Sequence, residues 1–224
     1  MGVLRTRVKK ITYHHELINH SLFFKRTESE LPVKKLDAVF LESAGTHPKR
    51  TELEELLNKL DHNYVHDMRL KIINQAKDTG TEIWFGDVKP QFGEMVKSIL
   101  ANFLHPFEKL RSLYATLQLS KRGDTNQKYV ETAARFEKKV PLAFERDKIM
   151  GAKILRLAAI TKAKKIGIVT GAAHVNLSKI LEQEETLNEE TRDKIASRGG
   201  NALKMYRCKY NKEAKRWHVE EHSL

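Results

Sequence analysis

Three short apolar segments, each followed within four residues by a carboxylate or a histidine, constrain the fold of this 224-residue chain more than any other feature. They are Leu36 to Leu41, Glu82 to Phe85 and Ile166 to Thr170, and compact apolar runs of this length are typical of strands buried in a parallel sheet. Longer segments with apolar residues at helical spacing separate them. Strands that alternate with helices predict an α/β sheet with some parallel pairing.

The helical segments between these strands have recognisable ends. Thr51 to Leu60 is the clearest amphipathic helix, because its leucines recur at helical spacing and Thr51 with Glu54 forms a capping-box pattern. A long helix with one apolar stripe is expected from Pro141 to about Lys162, and another helix is expected to start near Asn176. Further helices are predicted over Glu16 to Lys25, Val65 to Ala76 and Glu184 to Arg198.

The middle and the two ends of the chain complete the predicted architecture. Between residues 91 and 139, apolar residues at helical spacing, interrupted at Pro106, predict an insertion of two or three helices. Arg7 to Tyr13 reads as a strand that runs into His14 and His15, and from Leu203 the alternation is that of a hairpin. The predicted fold is therefore α/β: a mixed, partly parallel sheet flanked by helices, with a helical insertion and a C-terminal β-hairpin, in a single domain over residues 1–224.

Composition narrows the class of protein. Cys208 is the only cysteine, so an intrachain disulfide or a multi-thiolate metal site is excluded, and a reducing, cytoplasmic location is expected. No apolar stretch approaches the ~20 residues that cross a bilayer, so no transmembrane segment is expected. No signal-peptide core follows the basic start, so secretion is not expected. The formal charge of +12 favours attraction to phosphate-rich or acidic partners.

Polar side chains follow the predicted strands: His14 or His15, Glu42, Asp87 and His174. Ligands of α/β sheets lie at the carboxyl ends of the strands, so these groups are candidates for one site. Two imidazoles and a carboxylate suit a transition metal such as zinc or manganese, which would supply hydroxide near neutral pH. An equally weighted interpretation of His174 is a core or turn histidine that is hydrogen-bonded to a carbonyl.

The segment GIVTGAAHVNLSKIL, preceded by FERDKIMGAKI, resembles the last third of the TraB family, the pheromone-shutdown proteins of conjugative plasmids and their relatives. Related groups are the Tiki metalloproteases and the erythromycin-esterase and ChaN-like proteins. The resemblance implies a pair of GxxH motifs, an acidic residue after the second strand, and an arginine followed by Asp or Asn on the helix before the second motif. Here these are Gly171 to His174, Glu42 in AVFLES, and Glu145-Arg146-Asp147.

The first motif of the pair differs from the family pattern. Ile11-Thr12-Tyr13-His14 keeps a threonine and a histidine but has no glycine, and the adjacent His15 leaves the register open by one residue. The resemblance implies that the chain acts as a metal-dependent hydrolase of a peptide or a small amide or ester, and we expect manganese, cobalt or zinc as the metal.

The resemblance also implies roles for individual side chains. His14 (or His15) and His174 would bind the metal, and Glu42 would be a third ligand or the base that orients water. Arg146 could stabilise an oxyanion, and Asp147 would hold Arg146 or a histidine, because adjacent helical residues point about 100° apart. Further candidates are Glu145, Gly171 and Asp87, the last either a ligand or partner at the site or a turn aspartate.

Two other functions compete with the hydrolase. In the first, the changed first motif has lost the metal and the cleft only sequesters a peptide or small ligand. In the second, the basic segment from Lys204 to Arg216, with its interleaved aromatic residues, binds single-stranded nucleic acid. The same lysines would also protect an edge strand from further pairing. His62 and His66 have metal-binding spacing, but we interpret them as a solvated helix start.

Overall fold

A single mixed sheet of seven strands organises the molecule. The computed structural model describes residues 3–8, 10–18, 29–42, 49–59, 68–86, 92–122, 127–137, 139, 141–171, 174–183, 193, 197 and 203–224. The strands are β1 (Leu4–Val8), β2 (Ile11–Ile18), β3 (Ala38–Leu41), β4 (Glu82–Phe85), β5 (Lys165–Gly171), β6 (Lys204–Asn211) and β7 (Arg216–Ser223).

The strands lie in the order β1-β2-β5-β3-β4-β6-β7. The four central strands are parallel, whereas β1, β6 and β7 pair antiparallel with their neighbours. The latest parallel strand in sequence, β5, therefore lies between the two earliest, β2 and β3. Strands buried on both faces need apolar side chains in both directions, which explains the uninterrupted runs in β3 and β5.

Helices cover both faces of the sheet. They are α1 (Arg50–Lys59), α2 (Met68–Thr79), α3 (Phe92–Leu104), α4 (Pro106–Arg122), α5 (Gln127–Glu137), α6 (Pro141–Thr161) and α7 (Asn176–Gln183), with a short 3-10 helix at Val33–Lys35. We call the face under α1 and α2 the α1 face; its core includes Val39, Leu41, Ile83 and Val169. We call the other the α6 face; there α6 and α7 pack on Phe40, Trp84 and Ile168.

The predicted α/β class, the partly parallel sheet, the helical insertion and the C-terminal hairpin are confirmed. Three helices, α3 to α5, occupy the insertion, and α4 begins at the predicted break, Pro106. At the start of α1, the Lys49 N–H donates to Glu52. Glu54 is not the reciprocal cap that the sequence predicted, because its carboxylate accepts from the N–H of Val219 in β7.

The predicted strand over Arg7 to Tyr13 is confirmed in type but wrong in its bounds. It consists of two antiparallel strands, β1 and β2, and β2 continues through His14 and His15 to Ile18. The helix predicted from Glu16 is therefore wrong over residues 16 to 18, which are strand. The polar residues of β2 interrupt the apolar pattern by which a buried strand is recognised in a sequence. Glu16, for example, is fully buried, and its carboxylate accepts hydrogen bonds from the hydroxyl of Ser29 and the N–H of Glu30.

Within the described ranges, no helix has both the length and the apolar character needed to cross a membrane. The predicted helix over 184–198 lies almost wholly outside those ranges, as do residues 19–25 of the predicted helix over 16–25.

Candidate functional site

Two neighbouring parallel strands send their connections to opposite faces of the sheet. After β3 the chain leads to α1 on one face, and after β5 it leads to α7 on the other. Ligand sites of α/β sheets form where the connections diverge in this way, at the carboxyl ends of the strands. Glu42 follows β3 directly and Gly171 ends β5, so both lie at this point.

Glu42 is the hub of the site. Its Oε2 accepts the N–H of Gly171 at 2.6 Å, and its Oε1 lies 2.9 Å from Nη2 of Arg146 and 3.1 Å from Nε2 of His174. The carboxylate is 7% exposed and the Arg146 side chain 15% exposed, so the pair lies at the margin of the interior. A carboxylate with two cationic donors and a backbone N–H is strongly held in place.

Asp147 holds His174 from the other side. Its Oδ1 lies 2.5 Å from Nδ1 of the imidazole, and both side chains are buried. Arg146 and Asp147 are consecutive on α6 and diverge, so that one reaches Glu42 and the other reaches His174. The result is a continuous chain of charges from Arg146 through Glu42 and His174 to Asp147.

The charge of His174 depends on these two carboxylates. Burial would lower the pKa of the imidazole, but the charge and hydrogen bond of Asp147, together with Glu42, raise the pKa of His174 to about 10. His174 is therefore an imidazolium at neutral pH, with one N–H donated to each carboxylate. Burial also raises the pKa of Asp147, which the charge of His174 opposes.

A second buried acid adjoins this chain. Glu137, at the end of α5, accepts a hydrogen bond from the side-chain amide of Asn176 at the start of α7. Burial, and next the charge of Asp147, raise the pKa of Glu137 well above its ordinary value. This shift favours the neutral acid form of Glu137, in which it adds no negative charge beside Asp147.

His15 lies on the same face of the sheet as His174. In β2 every second side chain points to the same face, so His15 shares its face with Tyr13 and Leu17, which pack on the α6 side. Its two ring nitrogens contact Oγ of Ser178 at 2.9 Å and Oγ1 of Thr170 at 2.7 Å. Burial, reinforced by the charge of His174, lowers the pKa of His15 to about 3. This histidine is therefore neutral, and both nitrogens are engaged by hydroxyl groups.

The structure does not bring His14 to the site. His14 is the neighbour of His15 in β2 and points to the opposite face of the sheet, where burial and then the charges of Arg5 and Lys165 lower its pKa. The sequence left the choice between His14 and His15 open because a one-residue change of register exchanges the two faces of a strand.

The remaining predicted residues fall in different places. Gly171 contributes its N–H to Glu42, as described above. Glu145 is paired with Lys148 one turn along α6, at 3.8 Å. Asp87, His62 and His66 lie outside the described residues. Sequence reasoning missed Glu137, Asn176, Thr170 and Ser178. Thr170 directly precedes the GAAH motif and Asn176 follows it by two positions, whereas nothing in the local pattern marks Glu137.

The site supplies some, but not all, of what a divalent metal needs. Nε2 of His174 and Oε1 of Glu42 are close enough to share one ion, and Asp147 behind Nδ1 resembles the carboxylate that orients a metal-bound histidine. Against this, Arg146 contacts the same Glu42 oxygen. Across the part of the chain that the structure describes, no three His, Cys, Asp or Glu side chains are grouped to hold a metal. These residues therefore do not form a metal site by themselves.

Acidic partners compensate several cations of the basic hairpin. Arg207 makes two hydrogen bonds to Glu82, and Lys209 lies 2.9 Å from the same carboxylate. Lys204 is paired with Glu221 across the hairpin at 2.9 Å. These cations are thus ion-paired with acidic residues of the sheet, and the hairpin presents less net positive charge than its sequence alone indicates.

Comparisons of this chain with models of protein families, with curated proteins and with solved structures gave no match.

Proposed function

We propose that this protein is a hydrolase of the TraB and Tiki type that acts on a peptide or on a small amide or ester. The observation that carries the proposal is the chain Arg146, Glu42, His174, Asp147 at the carboxyl ends of β3 and β5. Paired cations and carboxylates in a poorly hydrated site can stabilise the charge that develops on a substrate in the transition state, because electrostatic interactions are stronger there than in water.

Each residue of the site has a separate role in the hydrolysis. The carboxylate of Glu42 takes a proton from a water molecule as the water oxygen bonds to the substrate carbonyl carbon. The negative charge that develops on the carbonyl oxygen is stabilised by the positive charges of Arg146 and His174. During this step the two N–H groups of His174 stay donated to Asp147 and Glu42. When the carbon–nitrogen or carbon–oxygen bond breaks, the proton held by Glu42 passes to the leaving group. Asp147 keeps His174 charged and oriented throughout.

Replacement of Glu42 by glutamine tests this assignment. The amide keeps the shape of the side chain but removes its negative charge, so we expect kcat/KM for a hydrolysed ester or peptide to fall by a factor of about 100 or more. The matched control is Glu82→Gln, because Glu82 is also a strand carboxylate paired with an arginine and a second cation, but it lies at the hairpin. We expect the control to keep wild-type activity.

The results can contradict the proposal in two ways. If Glu42→Gln and Glu82→Gln hydrolyse the substrate equally well, Glu42 is not the base. If the wild-type protein hydrolyses no member of a panel of peptides, amides and esters but binds one of them, the ligand-sequestering alternative replaces the hydrolase. Retention on oligonucleotides that weakens steeply with salt would instead favour the nucleic-acid alternative.

The manganese, cobalt or zinc ion expected from the resemblance stays a prediction. The resemblance predicts about one transition metal per chain in the purified protein and its loss in His174→Ala, whereas the imidazolium state of His174 predicts that this side chain holds no metal. Elemental mass spectrometry of both proteins distinguishes the two. Equal metal content in the two proteins would remove His174 from the ligand set. If neither protein takes up metal and the wild type still hydrolyses its substrate, Glu42, Arg146 and His174 carry the reaction alone.

A further inference from the structure

Helix α3 turns its apolar side away from the protein. Of its side chains that the structure describes, only Ser98 is buried, and Ala101 and Asn102 are half-buried. A surface helix normally buries the apolar face and exposes the polar one. In α3 this arrangement is reversed, and the exposed large apolar residues are Phe92, Met95, Val96, Ile99, Leu100, Phe103 and Leu104.

The exposed apolar surface continues onto α4. Phe107, Leu110, Leu113 and Tyr114 are all more than half exposed. Beside them, between α4 and α5, runs an open groove of about 620 Å³ that is lined in part by Leu110, Tyr114 and Tyr129. We call the exposed apolar residues of the consecutive helices α3 and α4, together with the groove, the α3–α4 face.

The size of the α3–α4 face is that of a stable protein interface. Its exposed apolar side chains are between 44% and 80% exposed. At roughly 200 Å² for a complete aromatic side chain, the four aromatic residues alone present about 600 Å². With the seven aliphatic residues, the face exceeds the ~800 Å² that each partner of a standard complex buries. Monomeric proteins rarely expose a contiguous apolar area of this size.

The chemistry of the face favours a protein partner over a lipid surface. Helices that lie on membranes carry lysines and arginines on a polar side that faces the headgroups. The polar side of α3 instead contains the buried Ser98 and half-buried Asn102, and Lys97 is its single charged residue among the described side chains. Helix α3 has few charges and several Phe, Leu and Met side chains, which is typical of the centre of an interface between identical chains. Arg111 and Lys128 line the groove beside α4.

We propose that two copies of this chain associate through their α3–α4 faces. A twofold axis brings the same surface of each copy into contact, so one apolar face suffices for a closed dimer. The exposed side of α3 in one copy packs against the α3–α4 face of the other, and the groove beside Tyr114 provides room for aromatic side chains. This dimer is independent of the hydrolase proposal, because it uses no residue of that site.

A matched pair of leucines allows a direct test. Leu100 on α3 and Leu56 on α1 are both 56% exposed, so a glutamate at either position is tolerated equally by the isolated chain. We expect sedimentation velocity across the micromolar range to show a dimer for the wild type and for Leu56→Glu. For Leu100→Glu, we expect the dissociation constant to rise at least about tenfold, because each interface would then bury two unpaired carboxylates.

A labelling experiment tests the same dimer without requiring that the chain tolerate a glutamate at position 100. The native Cys208 is buried, so a cysteine placed at position 100 or 56 is the reactive thiol for a maleimide. We expect Leu100→Cys to react more slowly as the protein concentration rises, and Leu56→Cys to react at the same rate throughout.

Three outcomes overturn the proposal: a wild-type protein that stays monomeric over the whole concentration range, a dimer that Leu100→Glu does not weaken, or equal labelling of the two cysteines at high concentration. A monomeric wild type that co-sediments with phosphatidylserine vesicles would assign the face to a lipid surface instead.

Discussion

At the scale of single residues, the site depends on a histidine that keeps its charge because two carboxylates surround it. Asp147 and Glu42 each accept one N–H of His174. Asp147 is fully buried and its second oxygen has no hydrogen-bond partner among the described residues. Its desolvation is therefore offset mainly by the charge of His174, and the two groups stabilise each other's ionised form.

Asp147→Asn tests whether the charge of Asp147, and not only the shape of its side chain, keeps His174 protonated. The amide keeps the size of the side chain but removes its charge, so we expect the pKa of His174 to fall from its raised value towards the ordinary one, measured by NMR titration of the imidazole. Breaking a buried ion pair should also lower the free energy of unfolding by about 3 kcal/mol or more. Asp37→Asn is the control, because Asp37 accepts backbone N–H groups of Lys164 and Lys165 at an exposed position. An unchanged His174 titration in Asp147→Asn would contradict this account.

At the scale of elements, β5 packs closely against its neighbours before it reaches the site at its carboxyl end. Gly167 in β5 faces the segment before β3, and a Cβ atom there would lie 2.6 Å from Cδ1 of Leu36 and 3.3 Å from Cγ2 of Val39. Both neighbours are buried. The absence of a side chain at Gly167 therefore allows the 3-10 helix and β3 to pack directly on the central strand.

Gly167→Ala measures how tightly this contact is packed. We expect the added methyl group to lower the free energy of unfolding in urea by about 1–3 kcal/mol, because the core must shift to admit it. The control is Gly93→Ala in α3, where a Cβ would have no neighbour within 4 Å. Alanine there should be neutral or stabilise the protein by up to about 1 kcal/mol, through helix propensity. Equal effects of the two substitutions would show that the contact at Gly167 is not tight.

Much of this architecture could be predicted because its elements have strong local signals. β4 coincides with the predicted segment and α7 starts at Asn176, as the residues next to the GAAH motif indicated. Glu42, Arg146, Asp147 and His174 were also named from the sequence, and they converge. The direction of His14 could not be predicted, since it depends on the register of β2 with β5. Nor could the role of Glu137, since its burial depends on how α5 packs near α7.

At the scale of the whole molecule, two histidines with opposite pKa shifts shape the dependence of stability on pH. The pKa of His174 is raised to about 10. Its contribution to the free energy of unfolding is therefore complete below the ordinary pKa of 6.5 and is lost as the pH rises towards 10. The pKa of His15 is lowered to about 3, so its contribution is complete above 6.5 and is lost as the pH falls towards 3. Together they favour maximal stability near neutral pH.

His15→Gln should affect one side of this profile only. Glutamine does not titrate, so we expect the loss of stability between pH 6.5 and pH 4 to become less steep, by at most about 1.4 kcal/mol per pH unit. The alkaline side, which His174 controls, should keep its slope. Urea unfolding at a series of pH values measures both sides, and an acid side with the wild-type slope would contradict the buried, neutral state of His15.

The position of β5 between β2 and β3 also has a consequence for the order in which the chain folds. Glu42 and His174 are separated by 132 positions, so ribosomal synthesis, at its usual rate, takes on the order of ten seconds to travel from one to the other. Throughout that interval the strands that will flank β5 exist without their central partner, and their unpaired backbone edges are open to pairing with other chains. The nascent chain is therefore most open to wrong pairing just before its middle strand leaves the ribosome.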